Sequence, residues 1–249
     1  MQYIRSFIFT SIMFLSILVY AGIIFVLFPF PYRWRYVFIR GWVDLNLWLC
    51  EKLCGLGYEI HGQDNIPDGN HIVYWKHQSA WETLMQVKAF PPQTWVFKRE
   101  LMWVPFLGWG LAASRPIPID RAGGRSAVEV VLEIGGERLK QGLWVSIFPE
   151  GTRMPPGKTR RYGRSGALLA RENNRFVVPV AHNAGDFWPR RGLLKKPGTI
   201  QVRIGPPIET QDRKINAING VAQRWIETTM TEISPGYPPY DPVSASKRH

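Results

Sequence analysis

The chain has 249 residues, of which 45% are hydrophobic, and this length suits one domain with an additional segment better than two full domains. The 31 basic residues exceed the 19 acidic ones and give a net charge of +12, which indicates an anionic partner. Nucleic acid, anionic lipid headgroups and a phosphorylated substrate all meet that description, and charge alone does not choose among them.

The N-terminal segment is apolar enough to enter a membrane. No charged residue occurs between Ser6 and Pro31, and the run from Phe7 to Phe28 would form about 33 Å of helix, against about 30 Å for a hydrocarbon core. A cleavable signal peptide has a shorter run and a small-residue cleavage site, whereas this run ends in FPFPYRWRY. We therefore predict a membrane anchor over residues 1–56, with an apolar helix over 7–30 and an amphipathic helix over 36–54.

The charges beside the anchor favour one orientation. Arg33, Arg35 and Arg40 follow the apolar run, while only Arg5 and the amino terminus precede it. The positive-inside rule thus favours a cytoplasmic body, and the pattern leaves open whether the helix spans the bilayer or dips into one leaflet. With an anchor present, anionic lipid is a better partner than nucleic acid.

From Tyr58 onward, short apolar runs alternate with helical patterns, which predicts a single α/β domain over 57–233, with a largely parallel sheet flanked by helices. The predicted strands are Tyr58–His61, His71–Trp75, Thr94–Phe97, Pro116–Ile119, Leu143–Phe148, Phe176–Ala181 and Thr199–Ile204. The predicted helices are Ser79–Ala89, Gly123–Lys140, Gly163–Glu172 and Asp212–Ile233. The Pro- and Ser-rich tail over 234–249 is predicted to be disordered.

A histidine and a glutamate follow the second predicted strand in the segment KHQSAWET. His77 can accept a proton from a substrate hydroxyl, and Glu82 can hold the other ring nitrogen, so we take both as candidate catalytic residues. The alternative for Glu82 is structural, because Ser79 and Glu82 fit an S-x-x-E capping box, which would leave one carboxylate oxygen free. His182, after a later strand, is a rival base. The sequence contains no G-x-S-x-G motif, so direct attack by the acceptor hydroxyl is the expected chemistry.

Cationic and loop residues follow the other strands, and parallel strands bring such residues to one edge of a sheet. The segment FPEGTR places Glu150, Gly151, Thr152 and Arg153 after an apolar strand, where backbone N–H groups and a guanidinium suit a phosphate. Glu150 is unusual beside a phosphate and would instead bond an acceptor hydroxyl or orient Arg153. Each of these loops could also be an ordinary surface turn, and the same holds for the cations Lys98 and Arg121.

Four blocks follow one another along the chain: His77 with Glu82 five residues later, Ile119–Arg121, Phe148–Arg153 and Val178–Val180. Together they resemble the glycerolipid acyltransferase family, and most closely its bacterial 1-acylglycerol-3-phosphate branch. The resemblance covers about residues 70–183, and only the combination of blocks is specific. One departure is that the family's usual partner of the histidine is aspartate, whereas this chain has Glu82.

The resemblance implies transfer of an acyl group from acyl-CoA or acyl-carrier protein to the sn-2 hydroxyl of lysophosphatidic acid, giving phosphatidic acid. His77 would be the base, and the acceptor phosphate would be bound by Lys98, Arg121, Glu150, Gly151, Thr152 and Arg153. It implies no cofactor and no metal site, an anionic membrane rather than nucleic acid as partner, and a bacterial inner-membrane location with a cytoplasmic catalytic domain. Another lysophospholipid acceptor, or a non-catalytic binder of anionic lipid or nucleic acid, are the alternatives.

Overall fold

The computed structural model describes residues 1–104, 106–120 and 127–241. Seven strands form one sheet in the order β1-β7-β6-β2-β5-β3-β4. All neighbouring strands are parallel except β6 and β7, which are antiparallel, so the prediction of a largely parallel sheet is confirmed. The strands are β1 Leu56–His61, β2 Ile72–Trp75, β3 Gln93–Lys98, β4 Ile117–Ile119, β5 Trp144–Ile147, β6 Val177–His182 and β7 Gly198–Ile204.

Helices flank the sheet and are α1 Gln2–Val26, α2 Tyr32–Cys54, α3 Trp81–Ala89, α4 Leu107–Ala113, α5 Ala127–Lys140, α6 Ser165–Glu172, α7 Ala184–Phe187 and α8 Ile215–Ile233. Two 3₁₀ turns lie at Gln63–Asn65 and Arg99–Trp103. The sequence did not predict α4 and α7. The first residues of the helix predicted over 123–140 lie outside the described ranges.

The central strand β2 shows how the two layers are organised. All four of its residues are buried, because helices cover both faces of the sheet. Val73 and Trp75 belong to the core formed with α2 and α3, whereas Ile72 and Tyr74 belong to the core formed with α5, α6 and α8. On the second face, a Cβ at Gly166 would come within 2.5 Å of the Tyr74 ring, so glycine lets α6 approach β2 closely. The strand that leads to His77 is thus fixed from both sides.

The two N-terminal helices pack on the domain. The Gln2 side chain donates to the Cys54 carbonyl at 2.9 Å, Ser6 Oγ accepts from the Lys195 N–H at 2.9 Å, and Phe9 is fully buried in the core. At the other end of α1, the Phe25 ring lies 5.9 Å from that of Trp109 in α4. Both ends of α1 therefore contact the body of the protein.

Most of α1 is nevertheless exposed and apolar. Among the described residues, α1 is the one helix long and apolar enough to cross a membrane. Its exposed side chains continue onto α2 and the 101–109 segment, and we call this set the apolar surface; its larger members are Phe7, Phe14, Leu15, Val19, Phe25, Trp34, Val37, Trp48, Trp103 and Trp109. This surface is suited to membrane association.

The C-terminal segment differs from the prediction of a disordered tail from residue 234. Ser234 and Tyr237 are buried, and the Tyr237 hydroxyl donates to Glu227 Oε2 at 2.5 Å. An aromatic ring with a buried hydrogen-bond partner anchors this part of the tail on α8, which a Pro-rich composition does not reveal. Residues 242–249 lie outside the described part of the chain.

Candidate active site

His77 lies two residues after the end of β2, and three of its four polar atoms contact other residues. Its N–H donates to Glu150 Oε2 at 2.9 Å, its carbonyl accepts from the Met154 N–H at 2.7 Å, and its Nδ1 lies 2.8 Å from Glu82 Oε1. The ring stacks on Phe148 with centroids 4.0 Å apart. The side chain is 14% exposed and lines a cavity. Its Nε2 has no hydrogen-bond partner among the described residues and is the atom available to a substrate.

Glu82 combines the catalytic and the structural interpretation. Its Oε1 accepts from the Gln78 and Ser79 N–H groups at 3.0 and 2.8 Å as well as from His77. Its Oε2 also accepts from Ser79 N–H, at 3.0 Å, so the prediction of a free carboxylate oxygen was wrong. Ser79 Oγ accepts from Trp81 N–H at 3.1 Å, because the helix begins at Trp81, later than the simple capping box predicts. The 2.8 Å contact shows that glutamate reaches the imidazole.

The electrostatics of this pair fix the histidine tautomer. Burial by itself raises the pKa of the Glu82 carboxyl, but the hydrogen bond from His77, the nearby His182 and the backbone N–H groups lower it further than burial raises it. Glu82 is therefore ionised at neutral pH and accepts a hydrogen bond from His77 Nδ1–H. The lone pair of His77 then lies on Nε2, which is the arrangement that a general base needs.

His182, the rival base, is structural. Its side chain is fully buried, Nε2 donates to the Lys76 carbonyl at 2.7 Å, and Nδ1 accepts from the Ala184 N–H at 3.2 Å. Burial lowers the pKa of its imidazole, so the ring is neutral. Both ring nitrogens are occupied, and the ring supports the backbone one residue before His77.

The cavity beside His77 has a volume of about 700 Å³. Its walls are mainly apolar side chains from α1, α2, α3, β3, α4 and α5, among them Ile24, Val43, Leu84, Val96, Leu111 and Val131. Volumes of 300–1,000 Å³ are typical of ligand cavities. An elongated apolar ligand could therefore lie against the N-terminal helices with its reactive end at His77.

Cationic side chains line the same cavity as His77. The predicted phosphate ligands Lys98, Thr152 and Arg153 line it, and Arg153 Nε is buried without a hydrogen-bond partner in the described part of the chain. Sequence reasoning missed Arg190, which also lines the cavity and donates from Nη1 to the Arg153 carbonyl at 3.0 Å. The basic pair in WPRR, after the sixth strand, was the available signal. Arg121 lies outside the described residues.

Two predicted phosphate ligands make polar contacts within the protein. Gly151 lines the cavity, but its N–H donates to the Phe148 carbonyl at 2.9 Å in a turn where the glycine has φ of +68°. The Glu150 side chain is fully buried; Oε1 accepts from Lys76 Nζ at 2.7 Å, and Oε2 accepts from the His77 N–H. Its predicted contact with phosphate, acceptor or Arg153 is therefore wrong, because its carboxylate faces the interior.

Comparison with known proteins agrees with this site. Residues 57–183, just over half of the chain, match the family model described as Acyltransferase. The chain belongs to the Acyltransferase family. The resemblance inferred from the four sequence blocks is thereby confirmed, and the matched region contains His77, Glu82 and Arg153.

Named acyltransferases match most of the chain. A 1-acyl-sn-glycerol-3-phosphate acyltransferase of Pseudomonas aeruginosa is 42% identical over 239 residues, covering 94% of this chain and 93% of that protein. The enzyme of the same name from Saccharomyces cerevisiae is 32% identical over 198 residues, covering 75% of this chain and 63% of that protein. The crystal structure of the 1-acyl-sn-glycerophosphate acyltransferase PlsC from Thermotoga maritima matches with a TM-score of 0.78 and 19% identity, covering 95% and 98% of the two chains. At that identity, the last match establishes the acyltransferase fold.

Proposed function

We propose that this acyltransferase transfers a fatty acyl group from a thioester to the free sn-2 hydroxyl of lysophosphatidic acid, giving phosphatidic acid. The observation that carries the proposal is that one apolar cavity is lined by His77, whose Nε2 has no hydrogen-bond partner among the described residues, and by Arg153 and Arg190. The names of the Pseudomonas and yeast relatives support the same substrate class.

In the proposed mechanism, the acceptor hydroxyl gives its proton to His77 Nε2 as its oxygen attacks the thioester carbonyl. The C–O bond forms and the C–S bond breaks, and the imidazolium returns the proton to the departing thiolate. The products are phosphatidic acid and a free thiol, and no acyl-enzyme is formed. Glu82 stabilises the imidazolium while it exists, and a positioned base of this kind contributes about 10²–10⁴-fold in rate.

The two ends of the acceptor are recognised by different surfaces. The phosphate is held by Arg153, whose buried Nε is a donor without a partner in the described chain, together with Arg190 and Lys98. The apolar cavity receives a fatty acyl chain. We keep Arg121 as a further proposed phosphate ligand on the basis of the sequence resemblance.

The apolar surface supports an in-plane membrane location. Both ends of α1 contact the protein body, so the helix lies along the domain instead of standing away from it. We propose that α1 and α2 lie in the cytoplasmic leaflet of the inner membrane, where the acceptor can reach the cavity without leaving the lipid. The arginines that follow α1 favour this side.

An acceptor and donor screen tests the proposal. The full-length protein in phosphatidylglycerol–phosphatidylethanolamine vesicles is given lysophosphatidic acid or lysophosphatidylcholine, each with palmitoyl-CoA or palmitoyl-acyl-carrier protein. Product is measured by mass spectrometry and thiol release by absorbance. We expect phosphatidic acid from lysophosphatidic acid with at least one donor. Equal turnover of lysophosphatidylcholine would contradict phosphate monoester recognition, and thiol release with no acceptor product would contradict acyl transfer.

A further inference from the structure

A buried charged cluster lies behind the proposed base. Lys76, the residue before His77, is fully buried, and Nζ donates to Glu150 Oε1 at 2.7 Å, Glu227 Oε1 at 2.9 Å and the Lys158 carbonyl at 3.0 Å. The three protons of the ammonium thus have three acceptors. A buried ion pair contributes little net stability compared with apolar side chains of the same size, so stability alone does not account for this cluster.

The cluster reaches His77 through Glu150. While Oε1 of Glu150 binds Lys76, Oε2 accepts the His77 backbone N–H at 2.9 Å. The Lys76 backbone is equally constrained, because its N–H donates to the Val180 carbonyl at 3.0 Å and its carbonyl accepts from His182. The backbone that carries the base is therefore oriented by the carboxylate of Glu150, and Glu150 is oriented by Lys76.

The far side of the cluster is formed by the C-terminal part of the chain. Glu227 in α8 accepts from Lys76 through Oε1 and from the Tyr237 hydroxyl through Oε2, at 2.5 Å. Tyr237 is buried, and its hydroxyl also lies 3.3 Å from the Lys158 carbonyl. The contacts run without a break from Tyr237 through Glu227, Lys76 and Glu150 to His77.

We infer that Lys76, Glu227 and Tyr237 are positioning residues for acyl transfer, which hold Glu150 and thereby the His77 backbone in the geometry that aims Nε2 at the acceptor hydroxyl. None of them lines the cavity, so they act without touching substrate. The inference rests on the proposed role of His77 as base. It assigns to the C-terminal segment a part in catalysis, since Tyr237 stabilises one end of the cluster.

Single substitutions test the chain of contacts. Tyr237→Phe removes one hydroxyl, and we expect kcat to fall about 3- to 10-fold while KM for both substrates stays within about twofold. The control is Tyr3→Phe, an exposed tyrosine near the start of α1 and far from the cluster in sequence, whose kcat should be unchanged. Lys76→Met should lower kcat about 100-fold or more, against no change for the exposed Lys140→Met.

A double variant separates positioning from stability. Lys76→Met leaves two buried carboxylates without a cation and should lower the melting temperature; adding Glu227→Gln removes one charge and should recover part of that loss. Glu150 still lacks its anchor in the double variant, so kcat should stay low. Recovery of kcat in parallel with the melting temperature would overturn the positioning role and show that the cluster is only structural.

A His77→Ala reference distinguishes failure of the base assignment from failure of the positioning role. If His77→Ala turns over normally, the base assignment is wrong. If His77→Ala is inactive while folded Tyr237→Phe and Lys76→Met have the wild-type kcat, the base assignment stands and the positioning role is overturned. Should Lys76→Met not fold, Tyr237→Phe alone decides, because loss of one buried hydroxyl leaves the core packed.

Discussion

Replacing Glu82 with glutamine probes the His77–Glu82 pair at constant size. Three N–H groups, from His77, Gln78 and Ser79, converge on Glu82 Oε1, so the oxygen of the new amide must take that place. The His77 tautomer is then retained, and what is lost is the negative charge beside the forming imidazolium, together with the contact of the Ser79 N–H with Oε2. A unit charge about 4 Å away is worth about 4 kcal/mol at an effective dielectric of about 20.

The expected result of Glu82→Gln follows from this magnitude. Part of the lost stabilisation is offset by the remaining hydrogen bond, so kcat should fall about 10²- to 10³-fold, less than the ~10⁴-fold seen where a triad histidine is forced into the wrong tautomer. Glu82→Asp keeps the negative charge but has one methylene less, so its carboxylate lies farther from the imidazole, and kcat should fall only about 10-fold. Both are measured by thiol release at saturating substrates, with circular dichroism to check folding. A folded Glu82→Gln within threefold of wild type, or Glu82→Asp less active than Glu82→Gln, would refute the reasoning.

The remaining predictions concern the phosphate, the acyl chain and pH. Arg153→Ala should raise the KM for lysophosphatidic acid about 10- to 150-fold and change kcat little, because a charge-assisted hydrogen bond is worth about 1.5–3 kcal/mol. An unchanged KM in steady-state assays would remove Arg153 from the phosphate site. Gly110 lies on the cavity wall, and a Cβ there meets nothing within 4 Å, so Gly110→Leu should shift the preference to shorter acyl chains. The rate with the longest chains should fall about 4-fold for each CH₂ that the new side chain displaces. The exposed Gly41→Leu should leave the chain profile from mass spectrometry unchanged. Because burial lowers the pKa of His182, the unfolded chain binds a proton at this histidine at a higher pH than the folded chain does, and stability falls below pH about 6.5. His182→Asn should flatten that fall in thermal melts. The difference between the two proteins separates His182 from Glu150, whose pKa burial raises to about 7 and whose effect on stability has the opposite sign. A parallel fall in both proteins would contradict this assignment.

The sequence predicted those features that depend on neighbouring residues. Every strand was found within a few residues. For β2, β5 and β6 the reason is that strands buried on both faces are continuous apolar runs. The pairing of His77 with Glu82 was also local, since the two side chains are five residues apart across a helix start.

Features that depend on distant contacts were missed. Glu150 was assigned to the phosphate because its loop has the composition of an exposed turn. Its partner Lys76 lies 74 residues away in sequence, and Glu227, the second carboxylate that Lys76 binds, lies in α8. The helix α4 was missed because its seven residues, with two glycines, give too weak a periodic pattern. Tyr237 was placed in a disordered tail, since nothing near it in sequence shows that its hydroxyl meets Glu227.

The most direct measurement is the kcat of His77→Ala in vesicles with saturating lysophosphatidic acid and an acyl thioester, compared with His61→Ala, whose ring is about half exposed at the end of β1. We expect the His77 variant to lose about 10²–10⁴-fold in kcat, with its melting temperature and vesicle binding retained, while the His61 variant stays at the wild-type rate. A folded, membrane-bound His77→Ala that forms phosphatidic acid at the wild-type rate would contradict the account.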